Sequence, residues 1–307
     1  MLSVYPDYCE KFKCIADKCR HSCCVGWEID IDPEAMDRFR STEGELGERL
    51  RNSISSEGEP HFILGKNERC PFLNGSNLCD LIIARGEDFI CSICADHPRF
   101  RSFLPGRTET GIGLCCEAAG KLILGQKDPV RLITQGNEDE EDEYAEGLLR
   151  FREKLFAIAQ DRVLSLPRRE EKMLSLCGLE MPDIHMQDLA DFLLGLERMD
   201  ESWTELLTRL KSGAAKPAEY SEAYEQLLVY FIYRHFLEAY DDGDIESKVL
   251  FAVTSCELIR ALGAENMEEL IEYSRLYSAE IEYSQENMDA IYDYLLKLTE
   301  RENADNS

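Results

Sequence analysis

The chain has 307 residues, with 34 Lys and Arg against 61 Asp and Glu, so its formal net charge at pH 7 is −27. This acidic excess argues against a nucleic-acid partner, because binding to phosphates depends on Lys and Arg. The most apolar stretch, residues 226–237, is too short to span a bilayer, so we expect no membrane partner. Because the N-terminus has no basic lead followed by an apolar run, we expect a cytoplasmic protein.

The N-terminal part of the chain is rich in cysteine, and eleven of the thirteen cysteines lie at or before residue 116. Apart from Cys9, they form four groups, "CIADKCRHSCC" (14–24), "CPFLNGSNLC" (70–79), "CSICADHPR" (91–99) and "LCC" (114–116). A reducing cytosol disfavours structural disulfides. Thiolates are soft ligands that suit iron–sulfur clusters, zinc and copper(I), and converging loops often supply about four of them. The pattern therefore predicts a metal site without identifying the metal.

Two other signatures are incomplete in this region. The cluster motif of radical enzymes is C-x3-C-x2-C, and after Cys19 and Cys23 the chain has Gly26 where the third cysteine is required. The glycine pair in "TGIGLCCE" (110–117) lacks the strand and helix context of a dinucleotide-binding fold. A nucleotide-like cofactor would therefore not be bound through the ordinary mononucleotide fold.

The charge balance changes near residue 130. Residues 1–130 carry 21 acidic and 16 basic side chains, a net charge of −5, and the other −22 lies beyond them. The run "EDEEDE" (138–143) marks the change and predicts a solvated linker or the start of a helix. We therefore predict a cysteine-rich metal-cluster region, residues 1–137, and an acidic helical domain, residues 138–307.

Beyond this junction, apolar residues recur with the period of a helix. Helices are predicted over residues 144–166, 220–240 and 246–263, and residues 266–300 are long enough for two helices or one bent helix. Alternating strand patterns are scarce, so the predicted fold class is mainly α: an irregular cysteine-rich metal-binding N-terminal region followed by an antiparallel helical bundle. The expected core residues of the bundle are Leu227, Leu228, Phe231, Leu250, Val253, Leu258 and Leu262.

Several stretches together resemble the flagellin lysine-N-methylase family. They are "KCRHSCCVGWEIDID", "CPFL" with "LCDLI", "ICADHPRF", "LCCEAA" and the C-terminal "YSRLYSAEIEYSQENMDAIY". The resemblance lies within a wider group of iron- or zinc-chelating cysteine proteins and extends over nearly the whole chain. It implies an S-adenosylmethionine-dependent protein lysine N-methyltransferase that contains a 4Fe–4S cluster, with zinc as the alternative metal. The implied partner is flagellin or a similar protein that bears lysines.

Residue by residue, the resemblance implies eight metal-binding cysteines: Cys14, Cys19, Cys23, Cys24, Cys70, Cys79, Cys94 and Cys115. Cys9 and Cys91 are additional to this pattern. Cys116 stands where a proline is expected, and His97 stands where a tyrosine is usual before "PR". The ligand set is therefore open around Cys91, Cys94, His97 and Cys116.

Methyl transfer to lysine needs a neutral amine, so the site needs a base or a desolvating pocket. His97 is a candidate base, although a structural or metal-binding role is more common for a histidine in such a loop. Trp27 is a candidate for stacking on the cofactor, with core packing as the alternative. Arg99 and Arg101 are candidates for holding a cofactor carboxylate, with surface pairing as the alternative.

The residues alone also support two functions without methyl transfer. An iron–sulfur or zinc-binding module for electron transfer would need the same thiols. A structural zinc protein could use its acidic helical half as an interaction surface.

Overall fold

The computed structural model describes residues 1–55, 57–137, 140, 142–181, 184–213 and 221–305, with side chains up to residue 299. The strands are β1 (Leu2–Pro6), β2 (Ile54–Ser55), β3 (His61–Phe62), β4 (Arg99–Leu104), β5 (Arg107–Ile112) and β6 (Leu132–Gln135). The helices are α1 (Pro33–Arg40), α2 (Gly44–Asn52), α3 (Asp80–Arg85), α4 (Ser92–Asp96), α5 (Glu117–Leu124), α6 (Glu143–Ala159), α7 (Leu166–Leu176), α8 (Met186–Leu193), α9 (Glu201–Lys211), α10 (Ser221–His235), α11 (Ala239–Asp242), α12 (Ile245–Ala261), α13 (Met267–Tyr277) and α14 (Gln285–Asp305).

The chain forms two compact units. The cysteine unit is Lys13–Arg99, and the helical unit is Met1–Phe12 together with Phe100–Ser307. The mainly α fold class is confirmed by the helices of both units. Neither end of the cysteine unit falls at residue 137. Residues 138 and 139 lie outside the described part of the chain, so the predicted domain boundary there stays a prediction.

One carboxylate organises the start of two helices in the cysteine unit. Asp32 precedes α1, and its Oδ1 accepts a hydrogen bond from Ala35 N–H (2.9 Å), while Pro33 occupies the first turn. Its other oxygen, Oδ2, accepts a hydrogen bond from Ser92 N–H (2.7 Å), where α4 begins. Burial opposes ionisation of Asp32, but these backbone donors hold its pKa below the usual value. Asp32 thus fixes the segment that contains Cys91 and Cys94.

The core of the cysteine unit combines aromatic rings and thiols. Phe62 packs against Phe39 and Phe72, with ring centroids 5.8 and 5.1 Å apart. Cys70 and Cys91 are buried in the same cluster, and partly buried Cys24, Cys79 and Cys94 pack against it. Buried thiols thus share this core with aliphatic residues such as Ile29, Leu50 and Leu81.

The helical unit contains a four-stranded sheet that the scarcity of strand patterns did not predict. Its strand order is β4-β5-β1-β6, with β1 parallel to β5 and antiparallel to β6. These strands have four to six residues. β4 and β5 are adjacent in sequence, but β1 pairs with β5 and β6, which lie about a hundred residues further along the chain, so local periodicity carries little signal for the sheet. Tyr233 in α10 donates a hydrogen bond to the sheet at Val4 O or Thr110 O, each 3.2 Å away.

The helix starts and stops have local causes. The acidic run 138–143 was predicted as a linker or helix start; Glu138, Asp139 and Glu141 lie outside the described residues. Asp142 caps α6 by accepting a hydrogen bond from Ala145 N–H (2.7 Å), which confirms a helix start there. The single helix predicted over 144–166 is wrong, because α6 ends at Ala159 and Pro167 lies in the first turn of α7.

The predicted bundle core is confirmed as a set of buried residues. All seven side chains named above are at most 2% exposed. α10 packs against α12, and α5, which precedes the predicted bundle, packs against α10 and α13. The stretch 266–300 forms two α-helices separated by a π-helical turn, Ser278–Glu282. No described helix is both long enough and apolar enough to cross a bilayer.

Phe231 provides a test of this core, since its ring is fully buried against Tyr230, Phe251 and Tyr277. We expect Phe231→Ala to lower the free energy of unfolding by about 3–5 kcal/mol, because it removes buried area and leaves a cavity. Urea unfolding of the full chain measures the loss. Val163→Ala, at a residue 93% exposed, is the control and should change stability by less than about 0.5 kcal/mol. Equal losses in the two variants would contradict this packing.

Candidate functional site

Four of the predicted metal-binding cysteines converge in the cysteine unit. Electrostatic interactions join Cys70 to Cys24, Cys79 and Cys94, and join Cys79 to Cys24 and Cys94. The backbone brings two of the segments together, because Cys70 N–H donates a hydrogen bond to Cys24 O (2.8 Å). Leu73 pairs with Cys79 in an isolated β-bridge, which closes the "CPFLNGSNLC" loop. Three separate segments thus supply one group of thiols.

Two features of the surroundings change the pKa values of these thiols in opposite directions. Burial raises the pKa of Cys70 to about 12 and also raises the pKa of Cys79. Against this, Phe72 N–H donates to the Cys70 sulfur, and Leu81 and Ile82 N–H groups donate to the Cys79 sulfur. Backbone donors of this kind surround metal-bound thiolates, where they stabilise the charge on sulfur.

Two neighbouring cysteines pair with members of this group. Cys23 donates a hydrogen bond to the Cys24 sulfur, which lowers the pKa of Cys24 to about 7. Cys94 is hydrogen-bonded to Cys91, which raises the pKa of Cys94 and makes Cys91 part of the group, although it was predicted as an extra. Among the described side chains, no three His, Cys, Asp or Glu are arranged so that they could hold one metal ion. The donor chemistry fits a soft metal, and the metal itself stays a prediction.

The other predicted ligands have different neighbours. Cys14 is exposed, and its sulfur accepts a hydrogen bond from Ala16 N–H (3.4 Å). Cys19 donates to His21 O (3.2 Å). Cys115 belongs to the helical unit, where burial raises its pKa to about 12 and its thiol is hydrogen-bonded to Tyr283.

The candidate cofactor and base residues divide between covered and exposed positions. Trp27 Nε1 donates a hydrogen bond to Cys23 O (2.6 Å), and its ring lies 6.4 Å from the ring of His97. Burial lowers the pKa of His97 to about 4, so its imidazole is neutral at pH 7. Arg99 is exposed and contacts Ala95 O (3.4 Å), and Arg101 is exposed as well. Within the cysteine unit, Trp27 and His97 therefore lie beside the thiol group.

A second polar cluster, which periodicity and residue spacing did not indicate, lies inside the helical unit around Glu282. This side chain is 0% exposed and accepts hydrogen bonds from His235 Nε2 (2.7 Å) and Tyr230 OH (3.0 Å). Arg234 Nε lies 3.2 Å from Glu282 Oε1, and Arg234 Nη1 also donates to Tyr230 OH (2.9 Å). The Arg234 guanidinium lies 4.8 Å from the ring centres of both Phe100 and Tyr283.

Each charged group of this cluster stabilises the charged form of its neighbour. Burial alone would raise the pKa of Glu282, but Arg234 and His235 lower it to about 2. Burial alone would lower the pKa of His235, but Glu238 and Glu282 raise it. Both ring nitrogens of His235 contact carboxylates, as an imidazolium that donates from each nitrogen would do. One feature of the sequence indicated this region: Glu282 lies in the C-terminal stretch that resembles the methylase family.

The Glu282 cluster is testable by removing its central charge. We expect Glu282→Gln to lower the free energy of unfolding by about 3–5 kcal/mol, because Arg234 and His235 stay buried without their counter-charge. Glu146→Gln, which breaks an exposed ion pair with Arg150, is the control and should cost at most about 1 kcal/mol. Denaturant unfolding measures both.

The loss should also depend on pH. A raised His235 pKa stabilises the fold below the unfolded value of about 6.5, and this contribution disappears as the pH rises through the folded pKa. The difference between wild type and Glu282→Gln should therefore shrink at high pH. A difference that grows with pH would contradict a charged His235.

Comparisons with known proteins find one family model and several relatives. The family model of the FliB lysine N-methylase C-terminal domain matches residues 131–306. The lysine-N-methylases of Salmonella typhimurium and Salmonella choleraesuis are each 22% identical over 141 residues, covering 41% of this chain and 33% of the relative. The flagellar biosynthetic protein FliU of Salmonella muenchen is 22% identical over 137 residues, covering 41% of this chain and 79% of FliU.

The matched region spans about a third of the length of the two lysine-N-methylases. No solved structure matches the chain significantly. The family model covers more than half of the chain and includes Glu282 and the π-helical turn. The chain therefore belongs to the FliB lysine N-methylase family.

Proposed function

We propose that the protein transfers methyl groups to lysine side chains of a protein substrate. The observation that carries the proposal is the family match over residues 131–306. The names of the relatives, lysine-N-methylase and flagellar biosynthetic protein, support flagellin or a similar protein as the substrate. S-adenosylmethionine is the methyl donor in this proposal.

We further propose that Cys24, Cys70, Cys79 and Cys94 hold a 4Fe–4S cluster, with zinc as the alternative. Support comes from the convergence of these four soft donors and from the backbone N–H groups directed at two of the sulfurs. Cys23 and Cys91 lie next to the set, and in this proposal either of them can replace one of the four cysteines as a ligand. A bound cluster would supply a redox-active or Lewis-acidic centre and would tie together loops that have only a small core.

The chain's own residues have simpler tasks. A lysine attacks a methyl sulfonium only as the neutral amine, so its proton must be removed or its ammonium desolvated. The neutral imidazole of His97 can accept a hydrogen bond from an amine, and Trp27 offers an aromatic face beside it. The net charge of −22 beyond residue 130 attracts a substrate surface rich in lysine, over a distance limited by a Debye length of about 8 Å in physiological salt.

The metal proposal predicts that Cys70 is needed to hold the cluster. Cys70→Ser should lose most of the iron and sulfide after anaerobic reconstitution, because a hydroxyl is a poor ligand for a soft metal. Cys177→Ser is the matched control, since Cys177 lies at the end of α7 in the helical unit. Iron and sulfide analysis, with the visible charge-transfer absorption, measures both variants. A Cys70→Ser protein that keeps the wild-type iron content would refute this ligand set, and zinc in place of iron would select the alternative metal.

The activity is tested by incubating the reconstituted protein with labelled S-adenosylmethionine and flagellin. We expect label on lysine with wild type and at least about a hundredfold slower transfer with the Cys23→Ser/Cys24→Ser double variant, since loss of metal ligands disrupts such sites. The control is again Cys177→Ser, which should retain activity. Full methylation by a double variant shown to be metal-free would exclude a cluster-dependent reaction.

A metal-binding module without methyl transfer is the second candidate. It is favoured by one observation, that the thiol group lies in the compact cysteine unit, outside residues 131–306. Reconstituted protein that carries a cluster but binds no S-adenosylmethionine in a calorimetric titration would favour this candidate over the methylase.

A further inference from the structure

The helical unit contains a cavity apart from the thiol group and the Glu282 cluster. Its volume is about 160 Å³. Most of its wall is apolar and includes two thioethers, and two carboxylates complete it. The lining residues are Pro167, Glu171, Met181, Ile184, Met186, Val253, Thr254 and Glu257.

Behind this wall lies a carboxylate whose environment is unusual. Glu170 in α7 is 0% exposed, and neither of its carboxylate oxygens accepts a hydrogen bond from a described residue. Its nearest cation is Arg260, whose Nη1 lies 3.8 Å from Glu170 Oε2. Arg260 also makes a close ion pair with Glu257 in the cavity wall. Two carboxylates therefore share one guanidinium.

The other nearby cations already have partners. Arg169 Nη1 lies 2.8 Å from Glu225, and Arg168 Nη1 lies 2.5 Å from Glu171. Burial, followed by the proximity of Glu257, raises the pKa of Glu170 to about 8. The Glu170–Glu257 pair thus holds a proton in place of a second positive charge, and a cation in the cavity would supply that charge.

The size and walls of the cavity restrict which cation fits. An apolar cavity of about 150 Å³ can take a benzene molecule, which has more heavy atoms than a butylammonium group. A hydrated metal ion would gain nothing from Val253, Ile184 and the thioethers. An alkylammonium matches both features, since its chain is apolar and its head is positively charged.

We propose that this cavity binds a docking lysine of the protein substrate, one other than the lysine that is methylated, with its ammonium at Glu257 and its methylene chain against Met181, Met186 and Val253. When the ammonium binds, the Glu170–Glu257 pair releases its proton to solvent, and Glu170 then adds a second negative charge near the ammonium. The identity of the alkylammonium as lysine rests on the proposed function, whereas the binding of an alkylammonium does not.

The test uses the full chain labelled with ¹³C at its methionine methyl groups. Met181→Leu and Met186→Leu assign two of the signals, and n-butylammonium and n-butanol are the probes. We expect n-butylammonium to shift the Met181 and Met186 signals at pH 7, and n-butanol to shift them much less. Glu257→Gln should weaken n-butylammonium binding about tenfold, the effect of losing one charge-assisted hydrogen bond.

Two further variants make the result specific. Glu170→Gln should also weaken binding. Because glutamine has nearly the same shape as glutamate, this variant keeps the proposal testable if Glu257→Gln fails to fold. Glu246→Gln is the control, because Glu246 is exposed in the same helix, α12, and it should bind as wild type does. Absence of shifts with n-butylammonium, equal shifts with n-butanol, or unchanged affinity in both Glu257→Gln and Glu170→Gln would overturn the proposal.

The ligand assigned to the cavity and the proposed enzymatic activity can be refuted separately. Flagellin methylation by a protein whose methionine signals ignore n-butylammonium would remove the cavity assignment and leave the proposed function. Specific n-butylammonium binding by a reconstituted protein without transferase activity would keep the alkylammonium site and remove the lysine methylase.

Discussion

The buried carboxylate of Glu282 is the interaction on which the helical unit depends. A carboxylate without solvent exposure is stable only when cations and donors surround it, and here α10 supplies them through Tyr230, Arg234 and His235. The π-helical turn after α13 is thereby held against α10, and Leu114 N–H, which donates to Tyr230 OH (3.2 Å), extends the connection to the segment before α5. Because Tyr233 ties the same helix to the sheet, α10 connects the main layers of the unit. π-Helical turns are frequent at functional sites, and this one lies in the region that defines the family.

The cysteine unit has a different physical basis. Aliphatic side chains, aromatic rings and thiols together form a small core, and several of the thiols have neighbouring thiols as partners. Burial disfavours thiolates there, while backbone N–H groups at Cys70 and Cys79 favour them. A metal bound by the group would resolve this opposition, since it would take the place of the thiol protons and add the cross-links that an irregular segment lacks.

Local pattern predicted those parts of the structure that local interactions determine. The periodicity of 246–263 predicted α12 within two residues at each end, and the predicted core residues are buried. The sheet was missed because β1 pairs with β5 and β6, far away along the chain, and the predicted helix over 144–166 missed the end of α6 at Ala159. The eight-cysteine ligand set that the resemblance implies stays a prediction; Cys24, Cys70, Cys79 and Cys94 interact electrostatically with one another in the cysteine unit. Glu282 lies in the stretch that resembles the family, but neither Glu282 nor Glu170 could be singled out among the many carboxylates, because a carboxylate is unusual only once its burial is known.

Lysine methylation is the claim that joins the family membership, the thiol group and the acidic helical half. The most direct measurement is mass spectrometry of flagellin after incubation with the reconstituted protein and S-adenosylmethionine carrying a trideuterated methyl group. We predict trideuteromethyl groups on lysine Nε atoms, located by fragmentation of the modified peptides. Flagellin lysines that stay unmodified, while metal analysis shows a full cluster and titration shows bound S-adenosylmethionine, would contradict this assignment.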